Sequence, residues 1–303
     1  MVGLLLLGMQ TVQAQQNVVD AGSPLKVVAT FSVLADMVKQ LGGDFVEVSA
    51  LVDWDEDTHV FQPSPGDVKK VTAADLLVLN GLGFEGWLAR LLNAAGFSGI
   101  SVEATKGVDL IKMDLRGSQG FAPYRRQSAS VYDPHAWQSL KAARHYVMNI
   151  SAALMRIDPL HAADYLVLRD TYLQQIVQLD ESITHSLSRI PEHKRRLVVP
   201  HNAFAYLARD YHLTIHSLQG MSTDSEASAA DMIQLVRLIK ALNITAIFTE
   251  TISDQRLIRV IEAETDAHIE GALISGALSR TLAPRYLDMI GYNTDLIIRA
   301  LSR

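Results

Sequence analysis

Pro159–Ser188 reads PLHAADYLVLRDTYLQQIVQLDESITHSLS, and this stretch decides the architecture. A proline at its start suits the first turn of a helix, where the missing N–H would have had no partner anyway. Leu166, Leu168, Tyr172, Ile176, Leu179 and Ile183 recur at near-helical spacing and give one rough apolar face. A helix over 158–188 spans roughly 45 Å at 1.5 Å per residue. That length is large for a helix inside one compact domain and natural for a strut between two.

On both sides of the strut, short β-rich runs alternate with helical ones. Before it, strands are predicted at Lys26–Thr30, Phe45–Val52 and Asp75–Asn80. Helices are predicted at Val33–Leu41, stopped by Gly42-Gly43, from Ser64-Pro65 onward, at Phe84–Ala94 and at Ser139–Met155. Asp114–Val131 breaks the rhythm and reads as a surface loop. After Pro191 the alternation restarts, with strands at Arg196–Pro200, Leu213–Leu218, Ala246–Thr249 and His268–Ile274. Helices fall at Ala203–Tyr211, Ala229–Leu242, Gln255–Glu264 and Arg285–Leu301. Such alternation predicts an α/β fold of two lobes, 25–157 and 195–303, each a parallel-type sheet with flanking helices. One long rigid helix, 158–188, bridges them.

With 49% hydrophobic and 20% charged residues, the 303-residue chain has the makings of a sizeable core. A net charge of −6 and the lack of a long Lys/Arg run exclude a nucleic-acid binder. There is no cysteine, while there are ten histidines. Disulfides, thiolate metal sites, Cys nucleophiles and a Cys-linked lipid anchor are thereby ruled out, so any metal must be held by nitrogen and oxygen. Residues 1–14 look like a signal segment, with apolar Val2–Met9 and the small-residue site Val12-Gln13-Ala14. The basic start of such a segment is missing, and the other reading is a buried first strand. The apolar run is too short to span a bilayer, and no later one is long enough. The expectation is a periplasmic protein, exported, soluble and without a lipid anchor or stable membrane insertion.

His59, His135 and His201 each sit where the layout places a loop or strand end. His59 lies in Asp57-Thr-His-Val-Phe-Gln-Pro-Ser-Pro65, His135 in Tyr132-Asp-Pro-His-Ala-Trp137, and His201 in Pro200-His-Asn-Ala-Phe-Ala-Tyr206. Ligands of open α/β sheets gather beyond the carboxyl ends of strands. Two of these histidines belong to the first lobe and one to the second, so a joint site would lie in the cleft. Neutral imidazoles suit zinc and, less strongly, manganese or iron; the other reading is surface or capping histidines. His145, His161 and His185 fall in helical stretches, His193 beside basic residues, His212 and His216 on one side of a strand, and His268 at a strand start. These read as ordinary polar residues. Asp53, Asp55, Glu56 and Asp57 form either a solvated acidic loop or a cation-attracting one.

The three histidine motifs, with Leu218-Gln-Gly-Met-Ser-Thr-Asp-Ser-Glu-Ala-Ser228 and Ile247-Phe-Thr-Glu-Thr251, resemble the TroA-like (cluster A-I) metal-binding proteins of ABC transporters. The resemblance runs from about residue 25 to 303 in register. It implies two α/β lobes bridged by one helix, with Zn²⁺ or Mn²⁺ buried between them on His59, His135 and His201. Some members carry Glu at the third position, associated with manganese, so His201 tilts the choice to zinc. The family's usual fourth ligand is an Asp in a segment like Leu-Tyr-Ser-Asp-Ser-Leu; here Leu273-Ile-Ser-Gly-Ala-Leu278 puts Gly276 there. Three readings follow: a water completes the site, Glu250, Asp224 or Glu226 substitutes, or the site is weakened; for Glu250 the preferred role is to orient a histidine from behind. The implied partners are an ABC permease and its ATPase, and the implied state is a monomeric, non-enzymatic carrier with little lobe movement. The alternative from another class is a zinc-dependent hydrolase or hydratase using an open His₃ metal site.

Overall fold

The structure, a computed structural model, describes residues 23–112, 132–224, 227–252 and 254–303. The signal-like segment 1–14, the loop read over Asp114–Val131 and Glu226 lie outside these residues. In the first lobe β1 (Leu25–Phe31), β2 (Val46–Val52), β3 (Leu76–Leu79) and β4 (Ile100–Glu103) form a parallel sheet in the order β2-β1-β3-β4. In the second, β5 (Arg196–His201), β6 (Thr214–Gln219), β7 (Ala246–Glu250) and β8 (His268–Leu273) repeat that order as β6-β5-β7-β8, again parallel. Helices cover both faces, which is why β1 and β5 are near-continuous apolar runs rather than alternating ones. In each sheet the strand order reverses direction between the central strands, β1 and β3 or β5 and β7. The carboxyl ends there face the place where such sheets bind ligands.

The first-lobe helices are α1 (Ser32–Gly42), α2 (Pro65–Thr72), α3 (Leu88–Ala95) and α4 (Leu140–Ile157). Ser64 and Asp67 cap α2 reciprocally, each side chain bonding the other's backbone N–H, with Pro65 at the first helical position. Helix α3 starts later than its apolar pattern predicts. Gly81, Leu82 and Gly83 all take positive φ, and the Glu85 carboxylate accepts the N–H groups of Asn80 and Gly81 at 2.6 and 3.2 Å. The turn before the helix is thereby held by a side chain, since the N–H groups there have no intrahelical partner. Strand β4 escaped the sequence reading because it is a four-residue edge strand, largely exposed, with no clean alternation.

The strut is α5 (Ala162–Ser188), preceded by a 3₁₀ turn at Pro159–His161. Its buried row is Tyr165, Tyr172, Ile176, Ile183 and Leu187, spaced alternately seven and four residues apart. Leu166, expected on the apolar face, is 38% exposed, and Leu168 and Leu179 are only half-buried. The buried seam follows the aromatic residues, whose larger area outweighs the leucines beside them. Helix α5 packs on α1 and α4 from one lobe and on α9 (Tyr286–Leu301) from the other. The second lobe is completed by α6 (Ala205–Tyr211), α7 (Ala229–Leu242) and α8 (Arg256–Ala263). His212 ends α6 in the left-handed conformation, φ 56°, so only His216 of that pair lies on a strand. One apolar cluster runs through both lobes, from Val28 and Leu34 past Trp137 to Phe204, Phe248 and Ile290. A smaller one, around Val198, Ile239 and Ile247, fills the far side of the second sheet. Among the described residues no helix is long and apolar enough to cross a membrane.

Candidate metal centre

The first lobe presents His59 on the loop after β2. Its backbone N–H donates to Asp57 Oδ1 at 2.9 Å, and its ring meets Phe84 edge-on at 5.1 Å. The preceding residue, Thr58, is fixed through its carbonyl by the Trp87 indole N–H at 3.0 Å. His135 repeats the device, with its N–H donating to Asp133 Oδ1 at 2.9 Å. Here the same oxygen lies 2.8 Å from Nδ1 of the ring. With Nδ1 engaged by that oxygen, Nε2 is the ring nitrogen left to the cleft. Tyr206 from the second lobe donates to the Asp133 carbonyl at 2.7 Å, and Asn80 to that of Pro134 at 2.9 Å. The second lobe places His201 at the end of β5, beside the end of β7, where Glu250 stands. His201 N–H donates to Glu250 Oε1 at 3.2 Å, and Nδ1 lies 2.7 Å from Oε2. Ser275 donates its hydroxyl to the same carboxylate at 2.6 Å.

Topology then brings the rings together. One nitrogen of each of His59, His135 and His201 lies within 4.8 Å of the others. His59 Nε2 and His135 Nε2 are 3.3 Å apart. His201 Nε2 is buried and has no hydrogen-bond partner among the described residues. Convergent imidazole lone pairs are acceptors, and they are costly to bury unless a donor or a cation shares them. Burial, then the neighbouring His135 and His201 charges, push the His59 pKa well below 6.5, so this ring is neutral. Burial alone would depress His201 as well, but the Glu250 carboxylate overcomes it and the pKa ends above 6.5. Glu250 in turn is raised by burial and lowered more by His201, Ser275 and the His201 N–H, so it stays ionised. Of the proposed substitutes for a fourth ligand, Glu250 stands behind His201, at its Nδ1. Asp224 accepts from Ser222 at 2.5 Å and lines the cavity beside His59. Glu226 is outside the described residues. Gly276 lies close to the site loop: its carbonyl accepts the Thr58 hydroxyl at 3.4 Å.

The acidic loop joins the lobes. Asp53 pairs with Arg280 at 2.6 Å, Asp55 accepts the Arg280 N–H at 3.1 Å, and Asp57 accepts the Thr223 hydroxyl at 2.5 Å. Asp133 and Ser275 were not singled out from sequence. The available signal was the repeated Asp-x-His, in which each aspartate accepts the N–H two residues on. Because Asp133 and Glu250 hold two rings from behind, Asp133→Asn and Glu250→Gln are each expected to weaken metal binding by roughly 10–100-fold while leaving the fold intact. Metal titration beside a circular dichroism spectrum checks both halves of that statement.

Residues 27–300 match the family described as ZnuA, zinc-uptake complex component A, periplasmic. The manganese-binding lipoprotein MntA of Bacillus subtilis is 31% identical over 288 residues, covering 93% of this chain and 91% of MntA. The metal ABC transporter substrate-binding lipoprotein SsaB of Streptococcus sanguinis is 28% identical over 311 residues, covering 99% and 97%. A solved structure of TroA, studied for its metal-binding specificity, superposes with a TM-score of 0.81 at 32% identity, covering 92% of this chain and 100% of that one.

Proposed function

The chain belongs to the family of periplasmic zinc-uptake components, and from that premise we propose that it captures one divalent transition metal, zinc before manganese, on His59, His135 and His201. It delivers that metal to an ABC permease driven by its ATPase, and acts as a monomeric carrier rather than a catalyst. The observation that carries this is the convergence of three imidazole nitrogens in a buried cleft, two of them with carboxylates directly behind. All three donors come from one chain, so the site needs no second copy. The hydrolase or hydratase alternative finds no support among the relatives, which are named as metal-binding and transporter proteins.

Two arguments favour zinc, although the MntA relative is named for manganese. Among the described residues the cluster holds imidazoles, and a nitrogen set suits zinc better than manganese, which prefers oxygen. The spacing agrees as well. Two nitrogens on a tetrahedron with bonds of about 2.05 Å stand about 3.3 Å apart, which is the His59–His135 separation of 3.3 Å. Competition titration of the protein with zinc and manganese tests the reading; one site per chain and zinc displacing manganese is expected. Failure to bind either ion would sink it.

A pH dependence follows from His201. Its proton must leave before Nε2 and Nδ1 can serve metal and Glu250 together, and its pKa is raised above 6.5. A raised pKa means that the competing protonated form persists to higher pH, so affinity rises with pH and its loss on acidification begins above 6.5. Calorimetry in buffers of different ionisation enthalpy should show protons released on binding near neutral pH. Binding without proton release there would contradict it.

A further inference from the structure

The three histidines are not equally enclosed. His135 and His201 are 0% and 1% exposed, whereas His59 is only half-buried. Nor are they equally held. Asp133 stands 2.8 Å behind His135 and Glu250 2.7 Å behind His201, but Nδ1 of His59 is buried with no hydrogen-bond partner among the described residues. Asp57, the residue equivalent to Asp133, bonds the His59 backbone and turns its second oxygen to Thr223 instead of to the ring. A cavity of about 620 Å³ adjoins His59 and is lined by neither of the other two histidines. Its walls come from both lobes: Phe61, Trp87 and Ala89 on one side, Ser222 and Asp224 on the other. Glu85, Asp224 and Arg90 all border it.

On the metal-capture reading above, we infer that this cavity is the port by which the cation exchanges, and that His59 is the first ligand it meets and the last it leaves. The two carboxylate-backed rings form the fixed floor of the site. His59 is the ring that no carboxylate holds from behind, so it can turn aside without breaking a bond to one. The Thr223–Asp57 bond ties the rim between the lobes at the base of the same loop.

The test narrows the port without touching a ligand. Ala89 is exposed on the cavity wall near the start of α3 and has no part in the centre. Zinc-loaded protein is mixed with excess 4-(2-pyridylazo)resorcinol, and the release rate is read where it no longer depends on chelator concentration. Kd is measured in parallel by competition titration. With Ala89→Trp, release is expected to slow roughly tenfold while Kd stays within about twofold, so that association slows equally, as for a gate on the path. Ala89→Leu should fall between wild type and Ala89→Trp, and guards against a fold defect in the larger variant. As a control, Ala152→Trp, on a separate groove of the first lobe, should leave both rates unchanged. Unchanged release in both Ala89 variants overturns the port. So does slower release matched by an equally tighter Kd, since that is an effect on the bound state. Wild-type protein that binds no zinc would instead remove the capture reading itself.

Discussion

His201→Ala should lose zinc affinity by roughly two orders of magnitude. Apparent binding free energies of about 10–16 kcal/mol for four-ligand zinc sites amount to about 3 kcal/mol per ligand, and about 1.4 kcal/mol is a factor of ten. His59→Ala and His135→Ala should lose affinity on the same scale. The three variants part company in the metal-free protein. Removing His201 takes the imidazole away from a fully buried Glu250 that keeps the Ser275 hydroxyl, and removing one side of a buried pair costs up to about 3–5 kcal/mol. His59 has no carboxylate behind its ring, so its removal costs the fold far less. Isothermal titration and urea denaturation of the three variants give both orders. Undiminished zinc affinity in all three would remove these residues from the site.

Gly276→Asp is the second large effect, and it runs the other way. The position is sterically open: a Cβ there meets only Ile252 Cδ1 at 3.4 Å, an ordinary contact, and no left-handed backbone is involved. The Gly276 carbonyl already holds Thr58, the neighbour of His59. A carboxylate at 276 would therefore start from a backbone tied to the ligand loop. Supplying a fourth, charged ligand is expected to raise affinity by about 3 kcal/mol, roughly a hundredfold. The gain should be larger for manganese than for zinc, because oxygen donors suit the harder ion. Titration of both metals against wild type reads the shift. Equal, unchanged affinities would mean that residue 276 does not face the open coordination position.

The lobes, the strut and the convergent histidines were legible because each depends on a local pattern. Apolar runs such as Arg196–His201 mark strands, Pro159 marks a helix start, and strand ends mark where ligands gather. Edge strand β4 was not legible, since an exposed four-residue strand leaves no periodic signal. Nor was the late start of α3, because it depends on Glu85 reaching back to Asn80 and Gly81. The role of the acidic loop was open between two readings. Its partners, Arg280 and Thr223, lie in the other lobe. Asp133 and Glu250 behave alike toward their histidines, yet only Asp133 is adjacent in sequence. Glu250 was expected behind a histidine from its motif and its place after a strand of the second lobe, and it reaches His201 through the pairing of β5 with β7.

The apolar cluster that passes from Val28 to Ile290 has a thermodynamic consequence. Opening either lobe alone would hydrate the face it shares with the other, so neither has an independent melting point. Calorimetry should show one transition, with calorimetric and van't Hoff enthalpies in agreement. Since the ligands are drawn from both ends of this shared interior, occupancy by the ion is felt by every residue in it. At a thousandfold excess over Kd, that amounts to about 4 kcal/mol added to the whole molecule.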